Sequence, residues 1–151
     1  MKDYLILIDK INQQFEQFKL LVLKETKEVE ELGNFHLTPQ QEIIMCYIIR
    51  NEPVIANDIA NHFEISKSAV SQVISKLEEM KMIYRQENSI NRRKTFIYLG
   101  DRGKEFHQLL KKIDDILVEK YYSKASLAEL ENVLETLNKI VAHKPQNELG
   151  Q

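Results

Sequence analysis

The chain has little of what enzymes, membrane proteins and disulfide-stapled domains need. One cysteine, Cys46, among 151 residues leaves no intrachain disulfide framework and no cysteine-only metal site. There is no tryptophan, and three prolines and four glycines are too few for a turn-rich or disordered chain, which favours long helices. No apolar run approaches the ~20 residues that a bilayer span requires. Asp3 and Asp9 interrupt the first apolar segment and no small-residue cleavage site follows, so the expectation is a cytoplasmic protein without a signal peptide. A Gly-rich phosphate loop, a Ser-centred elbow and a paired-carboxylate motif are all missing, so no enzymatic activity is expected. Asp114 and Asp115 are sequence neighbours, which on a helix point about 100° apart and form a solvated face. His36, His62 and His143 are scattered, and His107 is followed one turn later by Lys111, a non-ligand. No metal and no cofactor is therefore expected.

What remains is a globular composition, 43% hydrophobic and 29% charged, in a length that suits one domain. The net charge of −2 argues against a general affinity for nucleic acid, but its distribution argues the other way. Residues 67–104 hold nine Lys or Arg against four Asp or Glu, a local charge of +5, whereas residues 1–66 carry −5 and residues 105–151 carry −2. It is the local charge that sets the field a polyanion meets.

Apolar residues at Leu5, Ile8, Ile11, Phe15, Phe18 and Val22 repeat at steps of three and four, which predicts a helix over 4–30 ended by Gly33-Asn34. Thr38-Pro39-Gln40-Gln41 reads as a capped start of a second helix, with Ile44, Cys46, Tyr47 and Ile48 inward, stopped at Asn51-Glu52-Pro53. A short helix over 55–63 turns at Glu64-Ile65 into another, capped by Ser66, which buries Val70, Val73, Ile74 and Leu77. Residues 82–85 and 95–99 read as strands around a polar loop, and Gly100-Asp101-Arg102-Gly103 as punctuation. A long helix through Phe106 and Tyr121 follows, then a last helix starting at Ser123 or Ser126, with a frayed end from Pro145.

Helix, turn, helix and basic hairpin in that order form a winged helix-turn-helix. Such a unit sets one helix in the major groove of DNA and a loop against the minor groove. Small polar residues at the front of the second helix let its backbone approach base edges. Ser66, Lys67, Ser68, Ser71 and Gln72 have that character, and a glutamine reads adenine through two hydrogen bonds. Lys76, one turn on, suits a phosphate. The wing offers Asn91, Arg92, Arg93 and Lys94, and Arg85 stands at its base.

The pattern resembles the multiple antibiotic resistance regulator (MarR) family of bacterial transcription factors. The resemblance rests on Leu37-Thr38, on Asn57-Asp58-Ile59-Ala60 and on Ser66-Lys67-Ser68-Ala69-Val70-Ser71. It continues through residues 77–83 and Asn91-Arg92-Arg93 to Leu99-Gly100-Asp101-Arg102-Gly103, and so spans about 35–106. It implies a mainly α (α+β) fold within one domain over 1–151, with a DNA-binding lobe at about 36–100 and dimerisation helices at about 1–33 and 101–143. It also implies a ligand-responsive homodimeric repressor on a near-palindromic double-stranded DNA operator, with the site residues named above and Asn57 in contact with DNA. A small-molecule effector would sit near Phe15, Phe18, Phe35, His36 and Tyr47, although aromatic residues at helical spacing also serve a core. In two places the chain departs from the family. Asn91 stands where relatives carry Asp, which implies a less restrained wing, and Gly100-Asp101 replaces Ser or Thr as the cap after the last strand. The cysteine that one branch uses for redox sensing, near the start of the first helix, is absent, and Cys46 reads as a core residue. A winged-helix protein-interaction module without DNA binding is the alternative, since the fold alone does not fix the function.

Overall fold

The computed structural model describes residues 1–91 and 93–142, so Arg92, His143 and the end from Pro145 lie outside the described residues. It divides into two compact units between Asp114 and Asp115. The first holds α1 (Lys2–Glu25), α2 (Lys27–Glu31), a 3-10 turn over Leu32–Phe35, α3 (Pro39–Asn51), α4 (Ala56–Phe63) and α5 (Lys67–Glu79). The hairpin strands β1 (Ile83–Glu87) and β2 (Thr95–Leu99) and the larger part of α6 (Asp101–Lys120) complete it. The second holds the end of α6, a 3-10 turn over Tyr122–Lys124 and α7 (Leu127–Val141). No described helix is long and apolar enough to cross a membrane.

The caps form as the sequence predicts. Thr38 and Gln41 make a reciprocal box, with Gln41 N–H donating to Thr38 Oγ1 at 3.2 Å and Thr38 N–H to Gln41 Oε1 at 2.9 Å. Ser66 Oγ accepts from Ala69 N–H at 3.0 Å. Of the two candidate starts for the last helix, Ser126 is the cap, boxed with Glu129, while the Ser123 hydroxyl bonds the Glu119 carbonyl. The Ser126 N–H holds the Glu129 carboxyl below its usual range.

Three expectations about element boundaries need correction. The first helix does not run through to Gly33: it breaks at Thr26, whose backbone is extended (φ −118°, ψ 96°), and a second short helix and the 3-10 turn follow. A β-branched residue tolerates that extended conformation, and burying it, at 1% exposure, turns the chain there. Gly100 to Gly103 do not punctuate either, because α6 begins at Asp101 and Gly103 lies inside it. These glycines serve close approach: a Cβ on Gly100 would meet the Lys81 carbonyl oxygen, and one on Gly103 the Met82 carbonyl oxygen. The first strand also starts one residue later than 82 and extends to Glu87.

The core is built from Ile44, Met45 and Ile48 of α3, Ile59 and Ala60 of α4, and Val70, Ile74 and Leu77 of α5. Met82, Ile83, Ile97, Leu99 and Phe106 join it from the hairpin and α6. Met45 is fully buried where the sequence offered Cys46 and Tyr47, which are half-buried, so the α3 face is rotated slightly from the expected stripe. β1 and β2 pair antiparallel with Ile83 opposite Leu99 and Glu87 opposite Thr95. Val54 adds a third rung through hydrogen bonds of 2.7 and 3.3 Å to Ile97. The hairpin is thereby anchored to the segment that enters α4.

Candidate nucleic-acid interface

The turn between α4 and α5 is made by Glu64 in the left-handed region (φ 52°), with Ile65 N–H returning to the Ala60 carbonyl at 3.1 Å. Ile65 tucks half-buried beside Phe63, and Ser66 opens α5 toward solvent. Ser66, Lys67, Ser68, Ser71 and Gln72 are all exposed, as is Asn57 in the first turn of α4. Because Val70, Ile74 and Leu77 are buried, the helix period turns Ser68, Ser71 and Gln72 outward on the opposite face of α5.

α5 differs from every other described α-helix in one electrostatic respect. Each of α1, α2, α3, α4, α6 and α7 places an acidic residue in its first turn, namely Asp3, Glu28 with Glu30, Glu42, Asp58, Asp101 and Glu129. α5 has none, and carries Lys67 there instead. The positive end of its macrodipole is left uncompensated, a state that favours an approaching anion.

At its other end α5 closes on Lys81 in the left-handed region (φ 60°). Lys81 N–H bonds the Glu78 carbonyl at 3.0 Å and Met82 N–H the Leu77 carbonyl at 2.9 Å, which fixes where β1 departs. Arg85 on β1 then reaches back across the turn. Its Nε and Nη2 donate to the two Glu78 carboxylate oxygens at 3.1 and 2.9 Å. The hydrogen bonds from Arg85 hold the Glu78 carboxyl below its usual range, and Glu78 raises the guanidinium in return. The two side chains keep about 40% and 38% of their surface, so the pair is geometric more than energetic: it ties the wing to α5. The sequence sets Arg85 at the base of the wing among the expected DNA contacts, and in the structure it meets a carboxylate on α5. Lys76 lies exposed near Glu79 at 3.5 Å.

The wing loop is braced from within. Asn88 Oδ1 accepts from Ile90 N–H at 2.9 Å and Asn91 Oδ1 from Arg93 N–H at 3.1 Å. Asn88 N–H bonds the Lys94 carbonyl at 3.0 Å and Lys94 N–H the Asn91 carbonyl at 2.9 Å. At Asn91, where the resemblance implies a less restrained wing, the amide oxygen accepts the Arg93 backbone N–H as a carboxylate would, without adding negative charge. Arg93 and Lys94 are exposed beside it. The Asn88 turn was legible only as a polar loop residue, and the Glu78–Arg85 fork joins residues seven apart across a turn, which no periodicity marks.

The aromatic residues offered for a ligand pocket come from α1, the 3-10 turn with its cap, and α3. Phe35 is core, edge-on to Phe106 with centroids 5.2 Å apart, and the Arg102 guanidinium lies over its ring at 5.3 Å. Tyr47 packs against His62 and Phe63 at 4.5 and 5.6 Å. His36 is exposed in the left-handed turn before α3, Phe15 is exposed on α1, and Phe18 is half-buried. Cys46 lines a cleft with Ile49, Arg50, His107, Leu110, Lys111 and Asp114, and burial pushes its thiol above the ordinary value. No cluster of three or more His, Cys, Asp or Glu able to hold a metal occurs among the described residues.

Residues 37–94, from the start of α3 to the end of the wing loop, match the sequence profile of the MarR family. The match lies within the winged lobe and covers less than half of the chain. No curated protein matches the chain by sequence. Among solved structures it is similar to MepR of S. aureus bound to ethidium bromide, at 23% identity and a TM-score of 0.64 over 86% of this chain and 93% of that one. The S. aureus MepR–DNA complex aligns at 24% identity and a TM-score of 0.58 over 82% and 94% of the two chains. The transcriptional regulator Tm0710 of Thermotoga maritima aligns at 19% and 0.58, over 87% and 92%. At these identities the likeness speaks for the fold: a mainly helical chain with a two-stranded wing. The MarR segment holds each residue discussed above from Asn57 to Lys94.

Proposed function

We propose that the chain is a sequence-specific double-stranded DNA-binding transcriptional regulator. One observation carries this reading: α5 presents exposed serines and Gln72 at a helix start without a compensating carboxylate, fixed by Arg85 and Glu78 to a wing that carries Arg93 and Lys94. In this reading Ser66, Ser68, Ser71 and Gln72 meet base edges, and Lys67, Lys76 and Asn57 meet backbone. Arg93 and Lys94, with Asn91 and Arg92, grip the minor-groove side, and Arg85 positions the wing. MepR in complex with DNA, a protein of this fold, supports the assignment.

The reading includes a homodimer. α1 exposes Leu5, Ile8, Ile11 and Phe15, and α7 exposes Val133, Leu134, Leu137, Ile140 and Val141. Apolar surface on that scale calls for a partner, and a second copy would set two recognition helices about 34 Å apart on a near-palindrome. Repression relieved by a small-molecule effector completes the proposal, on the strength of the family resemblance and of MepR with bound ethidium. The test is selection of bound duplexes from a random library. The reading expects a near-palindromic consensus, and Gln72→Ala should relax one position per half-site by about 1–3 kcal/mol. Failure to enrich any sequence would contradict it.

A further inference from the structure

The wing carries a side chain that charge does not explain. Ile90 stands at the loop tip between Ser89 and Asn91, 95% exposed, in a stretch otherwise polar or basic from Gln86 to Lys94. Four hydrogen bonds within the loop surround it, from the Asn88 and Asn91 side chains and between the Asn88–Lys94 and Lys94–Asn91 backbones. A branched side chain has few rotamers to lose, so a braced isoleucine is presented at low entropic cost. The exposed cations next to it, Arg93 and Lys94, would draw the tip to phosphates.

From this placement, and resting on the DNA-binding reading, we propose that Ile90 seats in the minor groove against the sugar walls and the groove floor, and selects A·T over G·C at the step it covers. The floor of a G·C pair carries the guanine 2-amino group, which protrudes and needs a hydrogen-bond acceptor; an A·T floor does not. An isoleucine offers no acceptor, so it tolerates A·T and is crowded by G·C. Its contribution is apolar and shape-based, distinct from the phosphate contacts of Arg93 and Lys94.

The experiment uses the full chain and a duplex selected by it from a random library, resynthesised with A·T, G·C or inosine·C at the wing-covered step. Inosine keeps the guanine frame without the 2-amino group. The expected result is equal affinity for A·T and inosine·C and about tenfold weaker binding of G·C, the size of one apolar side chain kept from its contact. Ile90→Ser should bind all three alike at the weaker level, with its salt slope unchanged because no phosphate contact is lost. At 95% exposure the substitution leaves the fold intact, which circular dichroism checks. If Ile90→Ser keeps the wild-type preference, or if inosine·C binds as weakly as G·C, the proposal is overturned while salt-dependent binding upholds the DNA-binding reading. If the wild type binds no duplex at all, that reading fails and takes this one with it.

Discussion

Gly103→Ala sets close packing against helix propensity, because the two act with opposite sign. Gly103 lies in the first turn of α6, where alanine is favoured over glycine by about 1 kcal/mol on propensity alone. A Cβ there runs into the Met82 carbonyl oxygen and comes within 3.3 Å of Leu99 Cδ2. The oxygen is backbone and cannot swing away. It also accepts from Gly100 N–H at 2.9 Å, while the neighbouring Lys81 carbonyl accepts from Arg102 N–H at 3.1 Å. α6 must therefore retreat from the α5–β1 turn and strain both bonds. Overpacking costs about 1–3 kcal/mol and each weakened hydrogen bond about 0.5–1.5 kcal/mol. Set against the propensity gain, the variant should be less stable by about 2 kcal/mol, a fall in Tm of roughly 4–8 °C for a chain this size. Gly33 is the internal control: nothing lies within 4 Å of a Cβ there, so Gly33→Ala should be neutral or stabilising by about 0.5 kcal/mol. Thermal melts of both variants at one protein concentration decide the matter. A Gly103→Ala protein as stable as its parent would refute the packing argument.

Three further outcomes follow from the same geometry. Thr26 is 1% exposed and its hydroxyl has no hydrogen-bond partner among the described residues, so Thr26→Val should hold or raise stability by about 1 kcal/mol in urea unfolding; a clear loss would mean the hydroxyl is satisfied. Arg85 lowers the Glu78 pKa, so the pair contributes fully above the ordinary carboxylate value of 4.5 and less as pH falls through the lowered one. The gap between wild type and Glu78→Gln, below about 1 kcal/mol at this exposure, should thus be open at pH 7 and close in acid; a gap that widens in acid contradicts the fork. Burial raises the Cys46 thiol, so it should react with a thiol reagent at neutral pH more slowly than in the unfolded chain; equal rates would contradict the burial.

The lobe was legible in the sequence because its signals are local. Thr38 with Gln41 and Ser66 with Ala69 are contacts three residues apart, and the Val70, Ile74 and Leu77 stripe is a helix period. What lay hidden depends on neighbours distant in sequence. Gly100 and Gly103 read as turn residues until their approach to Lys81 and Met82 is seen, and the break at Thr26 reflects burial that overrides a continuous apolar stripe. The site was legible as a row of residue types, but not as a positioned device. The Arg85–Glu78 fork, which ties the wing to α5, and the Asn88 and Asn91 turns, which brace the wing loop, appear only in three dimensions.

The central claim is that α5 and the wing bind the DNA backbone and read its bases. Its most direct test is the salt dependence of the Kd for a selected duplex, measured for the wild type and Arg93→Ala. The account predicts a log Kd that rises linearly with log salt with a slope of several units, and a slope reduced by about one per lost phosphate contact in the variant. An affinity that does not change with salt, or a slope that Arg93→Ala leaves untouched, would contradict it and favour a protein partner for the winged lobe.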